Sequence, residues 1–190
     1  MPLTLPVKPA AKLNLRVELL EGRHALDPGR VPELTEWLAD RARRIPSLIE
    51  LLWDDDAGVA SRAADLLERA TRDGAPALLR SAAEYKEALI GLLPDARFIK
   101  LRWNLAFVLP RLPLTHGEAR RIGAVLQSWL DDRSSIVKTA ALQGLADLTR
   151  HDVTLLPEVL DMLRIKGRSG TPAMRARSRI LLKKLDRTRA

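Results

Sequence analysis

His24, His116 and His151 are the side chains that could exchange a proton near neutral pH, and each stands alone in the sequence. Acid–base or nucleophilic catalysis needs a base held by a third group beside a nucleophile. No recurring partner accompanies any of the three, and all fall in expected loops or in the N-terminal extension. Asp54, Asp55 and Asp56 could attract a metal ion, but the glycine and glutamate spacing of a calcium loop is missing. The triplet stands where a helix should begin, so its oxygens are expected to cap free amides. Gly167-Arg168-Ser169-Gly170 follows no strand, and reads as a helix stop and turn rather than a phosphate cradle. With no cysteine there is neither a disulfide nor a thiolate metal site. No catalytic residue, metal ligand or cofactor is assigned, and the chain is read as a non-enzyme.

Charge is the second kind of chemistry. The net +8 is uneven: from Arg164 onward ten Lys or Arg face one acid, Asp186, giving +9 and leaving −1 for the rest. Arg175, Arg179 and Lys183 would share one ridge of a final helix, spaced four residues apart. Such a ridge could steer an acidic segment or neutralise phosphates; it could equally be the solvated outer face of a terminal repeat.

The elements that carry these groups are helices. Around Val137 the stretch Asp131 to Leu145 joins turn and cap residues to an apolar stripe, Val137, Ala141, Gly144, Leu145 and Leu148. The same pattern is read at Val59, Ala63, Leu66, Leu67 and Ala70. It is read again at Ile99, Trp103, Ala106, Phe107 and Pro110, with a cap at Asp95. Met174, Ser178, Leu181, Leu182 and Leu185 give a fourth. These anchors lie 40, 38 and 37 residues apart, a two-helix repeat period. Apolar helical stretches precede them at Ile45 to Trp53, Pro76 to Leu93, Glu118 to Leu130 and Leu155 to Arg164. Thr115 with Glu118 forms a capping box, and Thr171-Pro172 a helix start.

An acidic turn, a Val, Ile or Met followed by Lys or Arg (Ile99-Lys100, Val137-Lys138, Met174-Arg175), and then Ala and Leu positions resemble the HEAT-repeat family. Ala60 departs from that pattern. The resemblance covers about residues 45 to 187 and implies an all-α, right-handed α-solenoid of about four HEAT-like hairpins; it implies no particular activity. The expected division is 1–44 as extension and cap helix, then repeats at about 45–74, 75–113, 114–150 and 151–187 in one continuous domain. Within residues 1–30, alternation at Leu13, Leu15, Val17 and Leu19 permits a strand, and Leu13, Val17 and Leu20 permit a helix. No stretch approaches the roughly 18 apolar residues of a membrane span, and the start lacks a signal-peptide pattern; a soluble, cytoplasmic protein is expected.

Ile99 to Leu109 is apolar nearly all round. Its alternation permits a strand, while its place in the repeat favours a helix. With Ile99, Trp103 and Phe107 facing inward, Leu101, Leu105 and Val108 would point outward and need a cover. Residues 1–30 could supply it, or a partner could. The reading adopted is a scaffold that binds a protein or acidic peptide on its second-helix surface. Leu101, Leu105 and Val108 would form its apolar centre, and Lys138, Arg175, Arg179 and Lys183 its basic side. Ser61, Asp65 and Glu68 would make the opposite end acidic. Nucleic-acid binding through the basic C-terminal repeat is the alternative.

Overall fold

A computed structural model describes residues 13–72 and 75–189, the side chains of 188 and 189 excepted. Among the described residues it is helical throughout and contains no strand. The helices are α1 (Leu15–Leu20), α2 (Val31–Leu38), α3 (Ile45–Glu50), α4 (Ala57–Arg72), α5 (Pro76–Ala83), α6 (Lys86–Leu92), α7 (Ile99–Val108), α8 (His116–Ser128), α9 (Ser135–Leu148), α10 (Leu156–Ser169) and α11 (Pro172–Arg189). Short 3-10 turns close or open several of them.

Three of the long helices start on side-chain oxygens. Asp56 Oδ1 accepts from Val59 N at 2.9 Å, Ser134 Oγ from Val137 N at 3.5 Å and Thr171 Oγ1 from Met174 N at 3.3 Å. Each therefore fixes its apolar anchor three residues on, and Val59, Val137 and Met174 are all buried. The acidic triplet thus caps α4, and Asp54 accepts a further amide, Asp56 N, at 2.9 Å.

In sequence order α4 packs on α7, α7 on α9, and α9 on α11; α3 packs on α4, α8 on α9 and α10 on α11. One continuous apolar core runs through these contacts. The approach of α7 to α9 is close because Gly144 has no side chain: a Cβ there would lie 2.7 Å from the Ala106 carbonyl oxygen. No helix among the described residues is long and apolar enough to cross a membrane.

Three expectations need correction. The Pro76 to Leu93 run splits at Glu84 and Tyr85, because α5 packs on α3 while α6 packs on α8. Residues 15–20 are a helix, but its buried face is Leu15 and Leu19; Val17 and Leu20 are exposed. Residues 1–12 lie outside the described residues.

The third correction is the register of α7. Its N-cap is Phe98, whose side chain has no oxygen to offer, and Asp95 is exposed in the turn ahead. The buried stripe is Leu101, Leu105, Val108, Leu109 and Leu112, two residues later than expected, while Ile99 is 40% exposed. Leu101 is thus the counterpart of Val59, Val137 and Met174. The position after the anchor becomes Arg102, not Lys100. Arg102 donates to the Ala96 and Arg97 carbonyls at 3.0 and 3.1 Å and lies 3.1 Å from Asp132, in the turn ahead of α9.

Candidate binding cleft between α4 and α7

The corrected register turns Trp103 and Phe107 outward. They line a cleft of about 340 Å³ with Asp65, Glu68, Arg69 and Arg72 of α4 and Lys100 and Asn104 of α7. Leu26 and Pro28, from the loop between α1 and α2, form its rim.

Beneath the rings lies a charged network. Lys100 Nζ sits 2.7 Å from Asp65 Oδ2, and both side chains are buried. Arg69 Nε donates to Asp65 Oδ1 at 2.9 Å. Glu68 accepts from Arg72 Nε at 3.1 Å and from Arg111 Nη2 at 2.6 Å. Burial pushes the Glu68 carboxyl up, but the hydrogen bonds from Arg72 and Arg111 outweigh it and hold the group below its ordinary value. Asn104 is buried too. Its Oδ1 accepts from Trp103 Nε1 at 3.0 Å, and its Nδ2 donates to the Lys100 carbonyl at 2.9 Å.

Both carboxylates are held by cationic side chains, Asp65 by Lys100 and Arg69 and Glu68 by Arg72 and Arg111. Among the described residues no three His, Cys, Asp or Glu side chains come together as a metal site would need. Of the histidines, His151 Nε2 lies 2.8 Å from the Pro110 carbonyl, His24 Nδ1 accepts from Asp27 N at 3.1 Å, and His116 opens α8 at the surface.

The expected binding residues are redistributed. Leu101, Leu105 and Val108 are 2%, 1% and 0% exposed, so they are core and not a partner-facing centre. They are buried within the chain itself. Leu101 shares a hollow with Leu52 and Leu92, and the loop before α2 meets α7 on another side, where Lys100 Nζ donates to the Leu26 carbonyl at 3.4 Å. The acidic end also disappears as a surface, since Ser61, Asp65 and Glu68 are buried and both carboxylates are neutralised by ion pairs. Lys138 and Arg175 are half-buried, while Arg179 and Lys183 are exposed on α11; none of the four lines the cleft.

Counting from the corrected anchor would have found the cleft. Phe107, Gln143 and Ile180 stand six residues after their anchors, and Lys100 and Ile136 one residue before theirs. Those two offsets differ by about 20° on a helix of 3.6 residues per turn, so they share a face. Ile136 and Ile180 are 54% and 60% exposed there. Compared with protein-family models, curated proteins and solved structures, the chain matches none of them.

Proposed function

We propose that the chain is a HEAT-like α-solenoid whose second helices, α4, α7, α9 and α11, present a binding surface for a segment of another protein, without catalysis. The succession of contacts from α4 to α11 and the shared anchor positions support the architecture. The observation that carries the function is the apolar row along that surface. Trp103 and Phe107 stand over the cleft, Leu26 is 50% exposed at its rim, and Ile136 and Ile180 extend the row onto α9 and α11. Trp103 and Phe107 are only partly buried, and the exposed Leu26, Ile136 and Ile180 gain roughly 25 cal/mol per Å² when a partner covers them. Aromatic anchors over a fully paired polar floor are the usual centre of such an interface.

A displayed peptide library tests this reading. Selected peptides should carry apolar or aromatic anchors, and Ile136→Asp, at a residue 54% exposed, should weaken their capture by about tenfold or more while the melting temperature changes little. Peptides indifferent to Phe107→Asp and Ile136→Asp, or no enrichment at all, would defeat it. The nucleic-acid reading rests on exposed Arg179 and Lys183, which have no carboxylate partner among the described residues; a DNA duplex therefore enters the experiment below.

A further inference from the structure

We infer that the ridge Arg175, Arg179 and Lys183 of α11 is a docking face for an acidic helical segment of a partner protein. The inference concerns residues that do not line the cleft and stands independently of it.

The positions one, five and nine residues after each anchor form the same ridge on every second helix. On α4 these are Ala60, Ala64 and Glu68, all buried. On α7 and the turn that closes it they are Arg102, Ala106 and Pro110, and on α9 Lys138, Leu142 and Ala146; only Arg102 and Lys138 are even half-exposed. The reason is visible where α7 meets α9, since Gly144 of α9 sits directly on the Ala106 carbonyl. The polar members reach forward as well. Glu68 bonds Arg111 at 2.6 Å, just beyond α7, and Arg102 approaches Asp132 ahead of α9. This ridge is the side by which each helix holds the one that follows it.

On α11 the ridge has no such neighbour among the described residues, because α11 packs on α9 and α10. Arg175 donates to the Gly170 carbonyl at 2.8 Å, while Arg179 and Lys183 are exposed and meet no carboxylate among the described residues. The shape therefore fits a helix and the charge an acidic one. Three cations at four-residue steps extend about 12 Å, and carboxylates at the same step on a facing helix would meet them. Arg102 with Asp132 shows the pattern already in use, a basic residue after the anchor reaching an aspartate in the next helix's approach.

The probe is a labelled amphipathic peptide of about five turns, with glutamates four residues apart. It is compared by fluorescence anisotropy with a proline-interrupted peptide of the same composition and with a short DNA duplex, at low and physiological salt. The helical peptide is expected to bind the full chain. The double variant Arg179→Glu, Lys183→Glu should weaken it by about tenfold or more with an unchanged melting curve, whereas Phe107→Asp should leave it unaltered. The inference is overturned by equal binding of the interrupted peptide, which reports charge alone. Tighter binding of the duplex, indifference to charge reversal, or absence of binding at low salt overturns it too.

Discussion

Glu118 shows how much one carboxylate can carry. Its Oε2 accepts from Thr115 N at 2.6 Å while Thr115 Oγ1 accepts from Glu118 N at 3.3 Å, completing the capping box of α8. Lys86 Nζ, at the start of α6, lies 2.8 Å from the same group. The hydrogen bond from Lys86, and then the amide of Thr115, hold its pKa down to about 2 from an ordinary 4.5. A carboxyl whose folded pKa is depressed stabilises the fold above its unfolded value and loses that contribution as pH falls towards the folded one. Glu118→Gln should therefore cost about 1–2 kcal/mol at pH 7, the ion pair being partly screened by solvent. The gap to wild type should close between pH 4.5 and about 2. Urea melts of both proteins across that range decide it; a constant gap would mean that the charge contributes nothing. The capping box could be read from Thr115 and Glu118 alone. Lys86 could not, because its contact spans 32 residues of chain.

Among the elements, α7 is where local reasoning slipped. Asp56, Ser134 and Thr171 mark their helices by oxygens that any reader of the chain can count from. Phe98 provides no such mark, and a helix apolar on nearly every side has no moment to orient it. Contact with α4 on one flank and α9 on the other explains that composition, so the all-round apolar face is the consequence of a central position. The corrected register predicts opposite outcomes for neighbouring residues. Leu105→Ala should lower stability by about 2–5 kcal/mol, as truncation of a fully buried leucine does. Ile99→Ala should change it by less than about 1 kcal/mol. Chemical denaturation of the two variants checks this, and comparable losses would return Ile99 to the core.

At the scale of the whole molecule, the end of α1 and the loop after it are joined to α4 by a buried arginine. Arg62 is 3% exposed, and its Nε donates to the Leu19 carbonyl at 2.5 Å. It also donates to the carbonyls of Leu20 at 3.3 Å, His24 at 3.2 Å and Asp27 at 3.5 Å. Two of these carbonyls belong to the end of α1, where the helix dipole is negative and orphan acceptors need a donor. Gly29 supports the clasp in a left-handed conformation at φ 53°, packed so closely that a Cβ would meet the Glu21 carbonyl. Arg62→Met should leave those carbonyls without a donor. The expected cost is about 2–4 kcal/mol, with proteolytic nicking between residues 21 and 30 ahead of global unfolding. Limited proteolysis followed by mass spectrometry tests it, and an unchanged first cleavage site would count against the clasp. Because Leu26 and Pro28 rim the cleft, the same variant should also loosen the proposed binding surface.

Helical class, the capped starts of α4, α8, α9 and α11, and the gathering of positive charge after Arg164 were written in the sequence. Each depends on residues within a turn or two of one another, where spacing and hydrogen-bonding capacity are fixed by local geometry. The orientation of α7, the neutralisation of Asp65 and Glu68, and the outward turn of Trp103 and Phe107 were decided by the fold. Those outcomes depend on which distant groups arrive alongside, Lys100 beside Asp65 and Gly144 beneath Ala106. No local pattern carries that information, because the free energy gained by burying a face is set by its neighbour as much as by itself.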